Sequence, residues 1–342
     1  MTDLNSRYSR QHLFAPIGQA GQKRIADARV LVIGCGALGT NIAELLARAG
    51  VGFLRIVDRD VVELSNLHRQ AMFEESDARQ SLPKATAAAA RLSRINHETK
   101  VDAIVGDVNA ATIEGYLDGI DLVMDGCDNF ATRYLVNDAC VKAGLPWVYG
   151  GAIGASGATM AFTNEGPCLS CVWPDEPSST DNPTCDVLGV IGPTPALVAA
   201  LQVTEALKII VGAPTRPTLW HIELWEGTTA SVKIAKNPAC PVCGKREFRF
   251  LDAHPDQFVT TLCGQNAVQI TPAQDMALDL NKLRETAAQH GSAAFNGHVL
   301  KASVEDGFEL YIFPTGRVMV RGTTDTEKAK ELYEKYTGCC VL

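Results

Sequence analysis

Nothing in this sequence, read run by run, is long and apolar enough to predict a membrane crossing. Apolar runs such as Val30–Ile33, Val198–Leu201 and Ile209–Val211 fall far short of the roughly 20 consecutive residues a bilayer requires. The first residues, Met1-Thr2-Asp3-Leu4-Asn5, lack the basic and apolar stretches of a secretory leader, which predicts a cytoplasmic location with no membrane partner. Positive charge is also short. With 31 Lys and Arg against 39 Asp and Glu, the net charge is -8, which excludes a general nucleic-acid surface. Any triphosphate site must therefore gather basic residues against the prevailing charge. Internal repeats and low-complexity tracts are absent. The eleven cysteines are an odd number and do not suit a closed disulfide framework. In a cytoplasmic chain, paired cysteines point to metal ligation.

What is present is enough core for one large domain and a small one: 342 residues, 46% of them hydrophobic. From about Arg29 to Gly150, short apolar runs alternate with amphipathic stretches. Val30–Ile33, Phe53–Val57, Leu122–Met124 and Trp147–Tyr149 read as strands. Residues 38–49, Lys84–Ile95 and Thr132–Ala143 read as helices. This predicts an α/β fold, a Rossmann-like mixed sheet with helices on both faces. Further on, Ala158–Thr163 reads as a strand and 172–190 as a mobile loop rich in Pro, Ser and Asp. A long helix over Pro195–Val211 and a hairpin turning at Glu226-Gly227 follow. The expected boundaries are a large domain over 1–250 and a small α+β domain over 258–342. In the latter we read a strand, a helix (Leu278–His290), three short strands and a helix (Asp325–Tyr336). Leu310–Val320, with Gly316-Arg317, reads there as an exposed hairpin of a docking module.

Gly34-Cys35-Gly36-Ala37-Leu38-Gly39 follows a strand and opens a helix. Gly34, Gly36 and Gly39 let phosphate oxygens approach backbone N–H groups at the helix start. Asp58, 19 residues past Gly39, sits where a carboxylate accepts from ribose hydroxyls. On this motif alone a nicotinamide-dependent oxidoreductase is the favoured reading. The polar segment after Asp58 shifts the balance, because Asn66, Arg69 and Lys84 can supply donors for a triphosphate. Asp128, just past Leu122–Met124, can hold Mg²⁺ beside substrate phosphates; it can equally serve as an Asx turn or helix cap. Cys168/Cys171 and Cys240/Cys243 form two Cys-x-x-Cys pairs in loop contexts. Together they read as a structural Zn²⁺ site of four cysteines. Cys35, Cys127 and Cys140 read as packing residues.

Taken together, Arg7-Tyr8-Ser9-Arg10-Gln11, Gly34–Gly39, Asp58, Ser65-Asn66-Leu67-His68-Arg69-Gln70, Pro83-Lys84, Cys127-Asp128-Asn129 and both cysteine pairs resemble the ThiF/MoeB/HesA family of adenylating enzymes. The resemblance spans roughly residues 5–250. It implies Mg-ATP-dependent adenylation of the C-terminal Gly-Gly carboxylate of a ubiquitin-like sulfur-carrier protein, in thiamine, molybdopterin or tRNA sulfur chemistry. A peptide or tRNA-linked carboxylate is the alternative substrate within the family. By the same resemblance Asp58 holds the ATP ribose, Asn66, Arg69 and Lys84 engage the phosphates, and Asp128 positions Mg²⁺. Arg10 reaches the ATP site of a neighbouring subunit, which implies a homodimer. Cys185 stands where some relatives form a covalent link to the activated carrier. In others that cysteine is dispensable and a separate sulfur donor, such as a cysteine desulfurase, acts. Gly150, Gly151 and Gly154 are expected to line a channel for the carrier tail.

Overall fold

The computed structural model describes residues 7–176, 188–253, 259–262, 266–272 and 276–339. The chain divides into two units, Met1–Glu75 with Lys84–His254, and Ser76–Pro83 with Pro255–Leu342. No composition boundary marks the transfer of Ser76–Pro83 to the second unit.

The first unit is built on eight strands: β1 (Arg29–Ile33), β2 (Phe53–Asp58), β3 (Lys100–Val105), β4 (Leu122–Asp125), β5 (Trp147–Ile153), β6 (Ser156–Phe162), β7 (Thr218–Glu223) and β8 (Thr228–Lys233). Their order is β3-β2-β1-β4-β5-β6-β7-β8. Strands β3 to β5 are parallel, and β6, β7 and β8 each join antiparallel. This is the mixed Rossmann-like sheet expected. Val30, Leu31, Val32 and Ile33 are all buried, because helices cover both faces and no alternation of polar residues survives there. Helices Ala37–Ala49, Lys84–Ile95 and Pro193–Val211 pack on one side; Ile113–Leu117 and Phe130–Ala143 supply the other.

The 19-residue helix Pro193–Val211 has a mean hydropathy of 1.5, enough by length and composition to cross a membrane. In the fold it lies against β5, β6 and Ala37–Ala49. It buries Val198, Ala199, Gln202, Val203 and Ala206, not the Leu197–Leu201–Thr204–Lys208 row that helical spacing also offers. Close approach explains the choice. A Cβ on Gly150 would meet the Gln202 amide at 2.4 Å, so Gly150 serves helix–sheet packing and not the channel lining expected of it.

Phe130–Ala143 buries polar groups as well. Asn137 accepts from the Leu169 N–H at 2.9 Å, and Asp138 from the Phe250 N–H at 2.9 Å. Burial, opposed by the bonds from Phe250 and Leu251, lifts the Asp138 carboxyl from its ordinary range to about 6. A carboxyl whose pKa rises on folding favours the protonated native state, so stability falls as pH climbs from about 4 to about 6. Asp138→Asn, which keeps an acceptor for Phe250, is expected to flatten that fall and to raise stability at pH 7 by about 2–3 kcal/mol. Urea unfolding at pH 4, 5 and 7 measures it; parallel pH profiles for both proteins would refute it.

The second unit is a six-stranded antiparallel sheet, ordered β11-β12-β13-β14-β10-β9. Its strands are β9 (Val259–Leu262), β10 (Ala267–Ile270), β11 (Ser292–Phe295), β12 (Leu300–Ser303), β13 (Glu309–Ile312) and β14 (Val318–Arg321). Helices Leu280–Ala287 and Thr326–Thr337 start at Asp279 and Asp325, whose carboxylates accept two N–H groups each. Val268, Ile270, Leu300, Leu310, Ile312, Val318 and Val320 form its core with Leu332, Tyr333 and Tyr336. Two expectations are corrected here. The unit has six strands where four were read, since four-residue strands are too short to show a period. The β13–β14 hairpin is not exposed: Tyr311, Phe313, Arg317 and Met319 are buried, because both strands lie inside the sheet between β12 and β10.

Candidate nucleotide site and cysteine cluster

The chain runs from β1 outward to β2 and β3, then returns to the other side of β1 as β4. This reversal makes the carboxyl edge of β1 and β4 the switch point of the sheet, the usual ligand position in such folds. Ile33 is in register with Val57 on one side and Asp125 on the other. The loop Gly34–Gly39, Asp58 and the segment Asp125–Asp128 therefore share one edge. Gly34 has φ +84° and a Cβ there would meet the Gly126 oxygen at 2.6 Å; a Cβ on Gly39 would meet the Gly34 oxygen at 1.9 Å. Both glycines are sterically required. Gly36 has no such neighbour within 3.4 Å.

Asp58 holds this loop to β2. One carboxylate oxygen accepts from the Cys35 N–H at 2.6 Å, the other from the Asp60 N–H at 2.7 Å. Each oxygen retains a second lone-pair direction. Burial, reinforced by Asp60 and opposed by Lys84, raises the Asp58 pKa above the ordinary carboxyl range. Lys84 opens the helix Lys84–Ile95 and is buried, with Nζ 3.0 Å from Asp60. Burial alone would lower its pKa, but Asp60 and Asp58 outweigh that and raise it, so Lys84 is a cation throughout the physiological range. The field of Asp128 also reaches Lys84 and Arg59. Arg59 itself pairs with Asp107 at 3.1 Å.

Asn66 is buried in the 3₁₀ turn Leu64–Asn66, where its Oδ1 accepts from the Glu63 N–H at 3.2 Å. Arg69 is half-buried and donates to the Ser65 carbonyl at 2.9 Å. Asp128 is exposed, and Asn129 takes the helix-cap role, accepting from the Thr132 N–H at 2.8 Å. Asn129 also donates to Asp128 at 3.1 Å. Arg10 is exposed on the short helix Ser9–His12, which packs against Gly18–Asp27. Cys185 lies outside the described residues, as do 177–187 of the expected loop.

Sequence reading missed the buried pair behind this edge. Arg133 donates to Asp125 at 2.9 Å, to the Cys127 carbonyl at 2.7 Å and to the Gly150 carbonyl at 2.9 Å. Gln202 donates to the Asp125 carbonyl at 2.8 Å. Burial disfavours the Arg133 charge, but Asp125 prevails and its pKa rises. The available signal was Asp125 itself, a charge ending the apolar run Leu122–Met124.

Apart from this edge, the Sγ atoms of Cys168, Cys171, Cys240 and Cys243 all lie within 4.8 Å of one another. Cys168 and Cys240 are 3.6 Å apart, Cys171 and Cys243 3.5 Å. Four thiols this close, mostly shielded from solvent, form a set able to hold one metal ion. Cys35, Cys127 and Cys140 are buried in the core as expected, with pKa values pushed up chiefly by burial.

Residues 8–242 match the ThiF family. The chain is 41% identical over 338 residues to the sulfur carrier protein ThiS adenylyltransferase of Bacillus subtilis, covering 98% of this chain and 100% of that one. It is 38% identical to the sulfur carrier protein adenylyltransferase of Thermus thermophilus, over 70% of this chain and 90% of the relative. A crystal structure of Escherichia coli MccB with a MccA derivative shares the fold at TM-score 0.62 and 23% identity, over 71% of this chain and 75% of that one. With the glycine loop, the Asp58–Asp60–Lys84 cluster and the four-cysteine set in place, the match places this chain in the ThiF family.

Proposed function

We propose that this chain is a Mg-ATP-dependent adenylyltransferase acting on the C-terminal Gly-Gly carboxylate of a ubiquitin-like sulfur-carrier protein of the ThiS kind. The observation that carries the reading is the end-to-end similarity to the Bacillus ThiS adenylyltransferase, which extends through the second unit. The carboxyl edge of β1 and β4 fits that chemistry. Gly34, Gly36 and Gly39 admit phosphates to the start of helix Ala37–Ala49. Asp58 accepts from the ribose with its remaining lone pairs. Asn66, Arg69 and Lys84 face the phosphates. Asp128, exposed and with the cap role taken by Asn129, suits Mg²⁺, which takes one or two carboxylates plus phosphate oxygens. That ion, when bound, neutralises phosphate charge.

The carrier carboxylate is ionised at neutral pH, so its attack needs no general base. Its oxygen forms a bond to the α-phosphorus, the bond from that phosphorus to the bridging oxygen breaks, and the electron pair leaves with pyrophosphate. The obstacle is anion meeting anion, and Arg69 and Lys84 offset it. Arg10, exposed on its short helix, is assigned to the site of a second protomer in a homodimer. Cys185 is assigned either to a covalent carrier link or to no role, with a cysteine desulfurase as the sulfur donor in the second case. The cysteine cluster is assigned to Zn²⁺: a tetrahedron with Zn–S of about 2.3 Å has sulfur edges of about 3.8 Å, near the spacings found.

Pyrophosphate exchange into ATP tests the reading. Exchange is expected with an intact Gly-Gly-ending carrier and is expected to vanish when the last two carrier residues are removed. Tight NAD binding with no exchange would return the site to a dinucleotide enzyme.

A further inference from the structure

Gln70, in the first unit, is buried with only 3% of its surface exposed. Its Oε1 has no hydrogen-bond partner, and among the described residues its Nε2 donates to none. The other carboxamides buried in this unit, Gln22, Asn66, Asn96, Asn137 and Gln202, each hold at least one bond. The backbone of Gln70 is fixed all the same. Its N–H donates to the Asn66 carbonyl at 3.0 Å, and its carbonyl accepts from the Phe73 N–H at 3.2 Å. A side-chain amide buried without partners costs free energy, so its retention points to a group that arrives with a ligand.

Gly36 marks where that group goes. The Gln70 Nε2 lies 3.8 Å from the point a Cβ on Gly36 would occupy, and no other side chain comes within 4 Å of that point. Packing within the protein therefore does not require a glycine here, whereas a ligand in that space would. Gly36 is also the N-cap of helix Ala37–Ala49 and offers no capping side chain. The first bond of the helix runs from the Thr40 N–H to the Gly36 carbonyl at 3.0 Å. The N–H groups of Ala37, Leu38 and Gly39 precede it and are left for an anion. Which phosphate fits follows from Cys35, whose N–H donates to Asp58 at 2.6 Å. A ribose on Asp58 is thus one residue from Gly36, and the phosphate next to that sugar is the first within reach of the helix start. We propose that Gln70 binds the α-phosphate of ATP, its Nε2 donating to a non-bridging oxygen. The proposal rests on the reading of Asp58 as the ribose acceptor. It sets Gln70 on the phosphorus that the carrier carboxylate attacks, and leaves Arg69 and Lys84 to the departing pyrophosphate.

Gln70→Met separates binding from packing, because methionine keeps the unbranched shape of the side chain and removes both ends of the amide. The amide it replaces is unpartnered, so the free variant is expected to unfold at the wild-type temperature or above it. Calorimetric titration of the full chain is expected to show affinity lowered about 10- to 10²-fold for AMP and for Mg-ATP alike. Affinity for adenosine, which carries no phosphate, is expected to stay unchanged. Weaker Mg-ATP binding with AMP unaffected would overturn the assignment to the α-phosphate. Adenosine weakened as much as AMP, or a lower unfolding temperature of the free variant, would make Gln70 a packing residue of the glycine loop. Unchanged binding of all three ligands would leave it no ligand contact. Failure of the underlying reading is seen separately, in a wild-type chain that binds neither AMP nor adenosine.

Discussion

Lys84→Ala is expected to lower carrier-dependent pyrophosphate exchange by about 10²–10³-fold, the cost of one well-placed donor to charge that develops in the transition state. Lys84 is a buried cation beside two carboxylates, 3.0 Å from Asp60 and close enough to Asp58 for each to raise its pKa. Its removal takes away the donor and leaves Asp60 to Arg59, 3.8 Å away, with both carboxylates nearer to incoming phosphates. Loss of one partner of the partly buried Asp60, whose side chain is 20% exposed, also costs stability, by less than the roughly 3–5 kcal/mol of a broken buried pair. Unfolding by urea must therefore be measured on the same variant. Asp128→Ala supplies the contrast, because Asp128 is exposed and its loss should spare stability while removing the Mg²⁺ position. Exchange within two-fold of wild type for Lys84→Ala would remove that residue from the phosphate site, an effect of under about 0.5 kcal/mol.

Cys240→Ser is expected to have the larger effect on the fold. Metal analysis of the wild-type chain is expected to find one zinc per chain, and the variant should lose it. The cluster joins the turn at Cys168–Cys171 to the one at Cys240–Cys243, across 72 residues of chain, where Arg246 also donates to the Val141 and Lys142 carbonyls. Around it the buried residues are Cys168, Cys240 and Val242, with Val141, Cys171, Cys243 and Phe248 packed at their edge. That is a small apolar set for two loops, so a zinc ion held there would add a large share of their stability. Small structural zinc sites bind with apparent energies of about 10–16 kcal/mol, which bounds the loss from above. Thermal unfolding, with zinc release followed by a chromogenic chelator, measures both. A wild-type chain without zinc, unfolding at the temperature of Cys240→Ser, would make the four cysteines packing residues only.

Much of the nucleotide edge was legible in the residues. Gly34, Gly36 and Gly39 announce a tight strand-to-helix turn because their chemistry is local: a positive φ, a missing Cβ, a helix start. The cysteine pairs are legible for the same reason, since the spacing within each pair is set by metal geometry. Helix Lys84–Ile95 was placed at its observed ends, helped by Pro83 before it. The partner of Lys84 was not legible. Asp60, 24 positions earlier, meets it only because the end of β2 and the start of this helix come together. The Asp125–Arg133–Gln202 group was missed likewise: it joins β4, a helix and the helix Pro193–Val211, and no local period records such a meeting.

The sequence by itself determined the parallel half of the sheet, the glycine loop, the acid at the end of β2, the two cysteine pairs and the family. Each of these is a pattern within a few residues, where backbone sterics and periodicity act directly. Only the tertiary structure decided which face of Pro193–Val211 is buried, that Gly150 makes room for Gln202, and that the β13–β14 hairpin is interior. It also decided that Ser76–Pro83 belongs with the second unit, where Asn296 donates to the Gln80 carbonyl. Those outcomes depend on close packing and on hydrogen bonds between residues as much as 216 positions apart. Such bonds exist only once the chain has folded, because the groups that satisfy a buried polar atom are chosen by proximity in space.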